Sequence, residues 1–247
     1  MKDDLGDRIK KYEDSYRFKL PCRLPVIVRC DGKSFHSLTK GCKKPFDEDL
    51  IDCMNETAIY ICKNVQGCKL AYTQSDEISL LITNYENNNT ESYFDNNLQK
   101  MVSVIAGLAS SYFTSISHKV FGKTKLACFD SRAFILPKEE VCNYFIWRMN
   151  DCTRNSVQML SRSLYSHKEC HNKNNSELQE MCFQKGINWN DLPIYQKRGR
   201  CIIKNKVIKD GVNPKTGKVL PSERNEWQVD NNIPIFSQDR NYVERFI

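Results

Sequence analysis

Two carboxylates stand where short apolar strands are expected to end, and together they could hold a metal ion. Asp31 directly follows the apolar run 26–30. Asp76 stands beside the turn that joins the strand-like runs 69–73 and 78–83. A small sheet can bring these two positions side by side, and Mg²⁺ is usually held by one or two carboxylates plus substrate phosphates. The pair therefore indicates a magnesium site, unless both acids are merely polar turn residues.

Positive charge follows the first of these acids along the chain. Gly32 would let the backbone approach a phosphate closely, and four basic side chains come after it: Lys33, His36, Lys43 and Lys44. Two Mg²⁺ ions about 4 Å apart can activate a hydroxyl and neutralise a leaving pyrophosphate, as in nucleotidyl transfer. The sequence has neither a Gly-x-x-x-x-Gly-Lys-Ser/Thr loop nor a Gly-x-Gly-x-x-Gly motif, so P-loop and dinucleotide-fold chemistry have no support.

A basic segment, Lys197–Lys218, carries eight Lys or Arg and one acid, so its net charge equals the +7 of the whole 247-residue chain. Such a cluster is typical of a protein that binds a polyanion, because each neutralised phosphate releases condensed counterions. A solvated hairpin with lysines along its edges would have the same composition. The charge alone leaves both interpretations open.

The composition favours a compact protein that is neither secreted nor embedded in a membrane. Charged residues interrupt every apolar run well before the roughly 18 residues that a membrane span needs, and three acids among the first seven residues do not fit a targeting peptide. We therefore expect a cytoplasmic protein whose twelve cysteines are free thiols. His167 and His171, near Cys170 and Cys182, could ligate zinc, but the polar sequence around them favours a solvated helix end.

Hydrophobic periodicity predicts the elements that position the two acids. The pattern gives helices over 1–20, 47–66, 138–165 and 176–185 and a further helix with an apolar side from 98 to 109. It gives strands over 26–30 and 129–136, the hairpin 69–83, a loop over 84–97 and a second hairpin that turns at 213–217. This order predicts an α+β fold: a ferredoxin-like antiparallel sheet with helices on one face, plus a helical region and a C-terminal β-hairpin. We expect residues 1–137 to form the core and residues 138–247 to pack on it within one structural unit.

Six segments, in order along the chain, resemble the tRNA-histidine guanylyltransferase superfamily. They lie at 28–36, 44–47, 71–77, 129–132, 143–148 and 185–191, and the first reads Val-Arg-Cys-Asp-Gly-Lys-Ser-Phe-His. Each segment is short, but six collinear ones through nearly the whole chain are specific. The resemblance implies a palm-like catalytic core that uses two Mg²⁺ ions per active site, ATP and other NTPs, and that works in the 3′-to-5′ direction on tRNA.

The resemblance also implies roles for individual residues. Asp31, Asp76 and Glu77 match the catalytic acids, and the metal ligands match Asp31, Asp76 and the carbonyl of Gly32. The nucleotide contacts match Arg29, Lys33, Ser34, Phe35, His36, Lys44, Asp47, Ser75 and Lys100. The candidate tRNA contacts are Arg132, Arg148, Asn155, Lys197, Arg198, Arg200, Lys204 and Lys206. The family usually has an arginine just before the lysine matched by Lys100, where this chain has Asn96 and Asn97.

One motif indicates the branch of the superfamily. Eukaryotic members carry a His-Ile-Asn-Asn-like motif after the Trp-Arg segment, whereas this chain has Asp-Cys-Thr-Arg-Asn-Ser at 151–156. The chain therefore resembles the bacterial-type, guanylyltransferase-like branch. That branch implies a homotetramer that adds templated nucleotides to 5′-truncated tRNA after ATP activates the 5′-phosphate. The alternatives are addition of a single G to tRNA-His at position −1, a non-catalytic RNA-binding module, and a palm-fold cyclase that makes cyclic nucleotides.

Overall fold

One antiparallel sheet carries both acids. The structure is a computed structural model that describes residues 3–212 and 219–247. The strands in these ranges are β1 Val26–Gly32, β2 Cys68–Gln74, β3 Glu77–Ile82, β4 Phe129–Ile135, β5 Arg200–Val212 and β6 Val219–Asp230. They lie side by side in the order β4-β1-β3-β2-β5-β6. The predicted α+β class is confirmed, and the C-terminal hairpin continues the sheet of the first half.

The five long helices in the described ranges agree with the periodicity except at their ends, whereas five helices of four or five residues there were not predicted. They are α1 Asp4–Asp14, α2 Phe35–Leu38, α3 Glu48–Asn64, α4 Leu98–Ile116, α5 His118–Phe121, α6 Lys138–Leu164, α7 His167–Cys170, α8 Asn175–Gln184, α9 Ile194–Arg198 and α10 Asn241–Glu244. The first helix is shorter than predicted, and beyond it Lys19 forms an isolated β-bridge with Asn97. The predicted loop 84–97 contains a 3₁₀ turn, Tyr93–Asn96.

The strand register sorts side chains between two faces of the sheet. In β1, Val28 is buried on one face with residues of α3 and α4, and Ile27 is buried on the other. Asp31 shares the parity of Ile27, so it lies on this second face. The antiparallel pairing places Asp31 opposite Glu77 of β3 and Asp130 of β4.

Two helices cover the first face, as the sequence predicts. Asp47 caps α3 by accepting a hydrogen bond from the backbone N–H of Leu50 at 3.1 Å. The buried stripes are Met54, Ala58 and Ile61 in α3, and Met101, Ile105, Ala109 and Phe113 in α4. Their spacing of three to four residues explains why each helix lies flat on the sheet.

The long helix α6 covers the second face together with the C-terminal segment. Val141, Phe145 and Met149 of α6 are buried there with Phe236 and Val243. The helical region after β4 therefore supplies the second layer, so the sheet is enclosed on both sides and not only on the side of α3 and α4. Asp31 lies on the face that α6 covers.

Three parts extend from this core. The second half of α6 packs on α8 through Leu160, Leu178 and Cys182. β5 pairs with β2 only near its start, and further along it pairs with β6 alone; the turn predicted at 213–217 lies outside the described residues. α1 has no buried residue. Within the described ranges, every helix is too short or too polar to cross a bilayer.

Candidate active site

Asp31 and Asp76 lie at the same end of the sheet. The backbone N–H of Gly32 donates to the carbonyl oxygen of Asp76 at 3.1 Å. This bond ties the end of β1 to the turn between β2 and β3. The structure thus brings together the two acids that the sequence singles out.

Gly32, the last residue of β1, has no room for a side chain. A Cβ built on Gly32 would lie 2.3 Å from the ring of Phe35. Phe35 is itself buried, with its ring centroid 5.3 Å from that of Phe113 and 4.9 Å from that of Phe129. Phe35, expected to contact a nucleotide, is therefore a core residue that supports the strand end.

Two serines with unusual backbone conformations flank the acids. Ser34 has φ +57° and Ser75 has φ +46°, in the left-handed region that L-residues other than glycine seldom occupy. Both side chains are exposed. Strained backbone of this kind persists only where the surroundings hold it, and here it turns the chain sharply just after Asp31 and just before Asp76.

The environment of Asp76 disfavours its charged form. Burial raises the pKa of Asp76 above its ordinary value, a hydrogen bond from Ser75 at 3.0 Å opposes the rise, and the charge of Asp31 adds to it. A nearby cation would reverse this effect, because positive charge favours the carboxylate. The atoms that could ligate a cation here, from the carboxylates of Asp31 and Asp76 and the backbone carbonyl of Gly32, are all oxygens. Oxygen ligands fit a hard cation such as Mg²⁺.

A protein-only metal cage is absent from residues 3–212 and 219–247, since no three His, Cys, Asp or Glu side chains gather to form one. A cation at Asp31 and Asp76 would therefore need backbone carbonyls, water or substrate phosphates as further ligands. The zinc hypothesis fails on the same ground, because His167 and His171 have no third ligand in the described part of the chain. All twelve cysteines are free.

Acidic and basic side chains form two adjacent rows across the face that α6 covers. The rows are Asp130–Asp31–Glu77 and, two residues along each strand, Arg132–Arg29–Ser79. Arg132 donates to Asp130 at 2.9 Å. A substrate that bears phosphates would find cationic groups directly behind the acids.

A buried arginine from α6 holds Glu77. Arg148 donates from Nε to one carboxylate oxygen of Glu77 at 2.7 Å and from Nη2 to the other at 2.6 Å, and Nη2 also donates to Asp151 at 2.8 Å. Burial raises the pKa of Glu77 in spite of this partner. Both carboxylate oxygens of Glu77 accept hydrogen bonds from Arg148. The Glu77 side chain therefore links β3 to α6 and is not available as a metal ligand. Arg148, expected on the tRNA surface, is buried by the same contact.

Trp147 is a functional candidate that the sequence pattern does not distinguish from a core aromatic residue. It is 53% exposed, and the guanidinium carbons of Arg148 and Arg29 lie 4.4 and 5.6 Å from its ring centroid. An exposed indole beside arginines can stack on a nucleobase. Asp130 and Asp151 were missed, and only the strand register and the three-residue spacing from Arg148 could have indicated them.

The expected nucleotide contacts divide into exposed and engaged groups. The exposed ones lie on the loop after β1 and at the β2–β3 turn: Lys33, Ser34, His36, Lys44 and Ser75. Asp47 is buried and accepts hydrogen bonds from the backbone N–H groups of Lys43 at 2.8 Å and Leu50 at 3.1 Å. Its carboxylate therefore holds the loop in shape.

Lys100 is not brought to the acids within one chain. It lies in the first turn of α4, whereas Ser110, ten residues further on, contacts the backbone of Phe129 at the end of β4 that pairs with Gly32. Ten helical residues span about 15 Å. Lys100 instead lines a polar groove with Arg23, so a contact with a nucleotide at Asp31 would have to come from another chain.

The expected tRNA contacts do not form one surface. Arg132, Lys204 and Lys206 are exposed, and Asn155 and Arg198 are partly buried. Lys197 and Arg200 are buried and cannot contribute to an outer surface. The ammonium of Lys197 donates to the carbonyl oxygen of Asn190.

Cross-strand ion pairs neutralise part of the basic hairpin. Lys206 lies 3.2 Å from Glu223, and Lys209 pairs with Glu226. Lys204 lies over the ring of Trp227 at 4.9 Å. Lys215 and Lys218 of the basic segment lie outside the described residues. Exposed ion pairs are weak, so these lysines remain open to exchange their carboxylate partners for phosphates.

Comparisons with known proteins agree with one another. The family model described as tRNAHis guanylyltransferase (Thg1) matches residues 6–137. A solved structure of a bacterial tRNA(His) guanylyltransferase (Thg1)-like protein in complex with ATP is 46% identical with a TM-score of 0.88, and one in complex with GTP is 48% identical with a TM-score of 0.84. Each covers 99% of both chains. The tRNA(His) guanylyltransferase of Candida glabrata is 32% identical over 218 residues, which is 78% of this chain and 87% of that protein.

Proposed function

The chain belongs to the tRNAHis guanylyltransferase (Thg1) family and is a nucleotidyltransferase, and from this premise we propose that it adds templated nucleotides, in the 3′-to-5′ direction, to the 5′ end of truncated tRNA. The observation that carries the proposal is the pair Asp31 and Asp76, joined where β1 meets the β2–β3 turn. The 46 and 48% identity to bacterial Thg1-like proteins, against 32% to the Candida glabrata enzyme, supports the repair branch.

The residues present fit two Mg²⁺ ions. Asp31, Asp76 and the backbone carbonyl of Gly32 would hold them, with the remaining positions taken by water and phosphate oxygens. Such ions supply charge neutralisation of the triphosphate and favour ionisation of the attacking hydroxyl. The raised pKa of Asp76 supports this role, because a desolvated carboxylate beside a second one lacks a compensating positive charge.

The proposed reaction consists of two displacements at phosphorus. First, an oxygen of the RNA 5′-monophosphate attacks the α-phosphorus of ATP, and pyrophosphate leaves. Next, the 3′-oxygen of an incoming NTP loses its proton and attacks the activated 5′-phosphorus, and AMP leaves. An RNA that already carries a 5′-triphosphate would release pyrophosphate in this second step. Lys33, His36 and Lys44, exposed on the loop after β1, would attract the triphosphate.

We propose that the RNA contacts three exposed cations outside the loop after β1: Arg132, Lys204 and Lys206. Arg132 lies beside the acidic row, and Lys204 and Lys206 lie on the hairpin. Half-exposed Trp147, whose ring lies 5.6 Å from the guanidinium carbon of Arg29, could stack on a terminal base. Arg198 and Asn155, which are partly buried, would contact the RNA only at its end.

We also propose a homotetramer. Five large apolar side chains are exposed in and after α1: Leu5, Ile9, Tyr12, Tyr16 and Phe18. Three of them recur at helical spacing and form an apolar stripe that no other described residue buries. A neighbouring copy would bury this stripe, and it could also bring a Lys100 to the acids.

The test is nucleotide addition to a defined RNA. Purified protein is incubated with ATP, Mg²⁺ and all four NTPs and with a 5′-labelled tRNA that lacks its first nucleotide, and the opposing 3′-strand base is varied. The proposal expects the added nucleotide to follow that base. Addition of G alone, to tRNA-His and without regard to the template, would establish the second candidate, which the family model favours. RNA binding without any addition, or a cyclic product from NTP alone, would exclude both.

A further inference from the structure

Arg200 is the most deeply buried cation near the site, and its charge is not neutralised by its hydrogen bonds. It is 3% exposed. Its Nε donates to the side-chain oxygen of Asn55 at 2.8 Å, which is a neutral partner. Its Nη2 is buried without a hydrogen-bond partner among the described residues. Buried arginines are normally paired, because an isolated buried charge is costly.

The backbone fixes the guanidinium of Arg200 close to the β2–β3 turn, which carries Asp76. Arg200 begins β5 and lies opposite Thr73 of β2. The preceding Gly199 has φ +79°, and a Cβ on it would lie 2.7 Å from the hydroxyl of Tyr72. Tyr72 in turn donates to the carbonyl oxygen of Arg198 at 2.6 Å. These contacts press the chain against β2, so Arg200 cannot move out to solvent as a surface arginine would.

Arg200 lines a cleft that adjoins the acids. The cleft lies between α3, α6, α9 and the β2–β3 turn and has a volume of about 80 Å³, and Ser75, next to Asp76, forms part of its wall. Phe46 and Met159 give it apolar sides, and Asn155 contributes an amide. A cationic floor with apolar walls suits a ligand that has an anionic group and a flat or apolar body.

We propose that Arg200 binds a phosphate group in this cleft, and that the nucleoside attached to this phosphate lies against Phe46 and Met159. A guanidinium presents parallel N–H donors that match two oxygens of one phosphate. The identity of the ligand as a nucleotide rests on the proposed function. The phosphate belongs either to a free NTP or to the 5′ end of the RNA, and the two sources differ in the experiment below.

Binding is measured in EDTA, so that no metal at Asp31 and Asp76 contributes. The probes are ATP, inorganic tripolyphosphate, and an RNA hairpin with either a 5′-phosphate or a 5′-hydroxyl. We expect Arg200→Gln to weaken binding of a phosphate probe about 10-fold or more, because a charge-assisted hydrogen bond is lost. Arg200→Lys keeps the charge but lacks the two parallel N–H donors of the guanidinium. Its affinity for the phosphate probe should lie between those of the wild type and Arg200→Gln. Arg162→Gln, an exposed arginine of α6, is the matched control and should bind as the wild type does.

The pattern of the losses identifies the source of the phosphate. Weaker binding of ATP and tripolyphosphate assigns the cleft to a free triphosphate. Loss of the preference for 5′-phosphorylated over 5′-hydroxyl RNA assigns it to the RNA end. Unchanged affinity for all four probes in both Arg200 variants overturns the proposal.

Thermal unfolding separates a binding role from a structural one. If Arg200 is held for a ligand, both variants should melt without ligand at or above the wild-type temperature and lose the stabilisation that the probe gives. A much lower melting temperature in both variants, with binding retained, would make Arg200 a structural residue and overturn the proposal. Should the Gln variant fail to fold, the Lys variant alone carries the comparison. Loss of phosphate binding in a protein that adds no nucleotide would refute the proposed function and leave the site standing.

Discussion

Asp76 shows a conflict between folding and chemistry within one residue. Its carboxyl is desolvated and faces Asp31, so its pKa in the folded protein lies above that of the unfolded chain. The folded chain therefore binds the proton more tightly, and this contribution to stability is greatest at acid pH and is lost as pH rises through the raised pKa. At neutral pH, in the absence of a cation, the charged carboxylate destabilises the fold.

We expect Asp76→Asn to abolish nucleotide addition while it raises the melting temperature in EDTA at neutral pH. The rise should be about 2–4 °C for each kcal/mol of relieved repulsion in a chain of this size. Calorimetry and the addition assay measure the two effects, and Asp239→Asn, at an exposed acid, should change neither. In the wild type, the addition rate should fall as pH decreases, because a proton and the cation compete for the carboxylate of Asp76. A lower melting temperature for Asp76→Asn would contradict this account.

At the scale of residues, the sequence could locate the acids but could not show which basic side chains are buried. Asp31 and Asp76 were found because a strand end and a tight turn leave local signals in residue type. The burial of Arg148 depends on Glu77, 71 positions away in the chain, and the burial of Arg200 depends on contacts with β2 and Asn55. Such long-range contacts leave no local pattern, so both residues appeared to belong to an outer surface.

A buried ion pair between Glu77 and Arg148 joins β3 to α6. Removing one partner of such a pair leaves the other charged and buried, at a cost of about 3–5 kcal/mol. We expect Glu77→Gln and Arg148→Met each to destabilise the protein by this order, and the double variant to cost less than their sum. Urea unfolding in EDTA measures all three. Additive losses would show that the two side chains do not act as a pair.

The hairpin β5–β6 should contribute electrostatically to RNA binding. Lys206 has a carboxylate partner that a phosphate can replace, and Lys204 lies over the ring of Trp227. Each lost phosphate contact on duplex RNA should reduce the slope of log K against log salt by roughly 0.9, by analogy with duplex DNA. We expect Lys204→Gln with Lys206→Gln to flatten this slope in a filter-binding titration. Lys168→Gln with Lys173→Gln, at exposed positions in and just after α7, serves as the charge-matched control. Equal slopes for the two double variants would remove the hairpin from the RNA surface.

At the scale of elements, periodicity was a reliable guide to the helices and strands but not to their placement. The apolar stripes of α3 and α4 predicted that both helices pack on the sheet, because predicted strands precede and follow each of them in the sequence. The apolar positions of α6 predicted a buried side equally well, yet nothing in them says which face of the sheet it covers. That choice depends on the connection after β4 and on the C-terminal segment that packs beside α6.

The exposed stripe of α1 should govern assembly of the whole molecule. We expect Leu5→Gln with Ile9→Gln to shift the protein from the proposed tetramer to smaller species in analytical ultracentrifugation, because both side chains are more than half exposed in the single chain. Lys11→Gln, on the other side of the helix, should leave the distribution unchanged. A monomeric wild type would exclude the tetramer.

We propose that residues 1–137 and 138–247 fold only together. β5 hydrogen-bonds to β2, and Ile27, Tyr72 and Leu81 of the first half are buried by α6 and the C-terminal segment. The fragment 1–137 should therefore lack a cooperative unfolding transition in circular dichroism and should regain one when the fragment 138–247 is added. A fragment 1–137 with a sharp transition of its own would show two independent units.

The enclosure of the sheet on both faces also matters while the chain is being made. At about 5–20 residues per second, the last 110 residues take roughly 5–20 s to follow the first 137 from the ribosome. During that time the side of the sheet that α6 and Phe236 will cover has no partner. A nascent chain in this state is a substrate for chaperones, and a premature stop late in the message would yield a protein destined for degradation instead of a weakened enzyme.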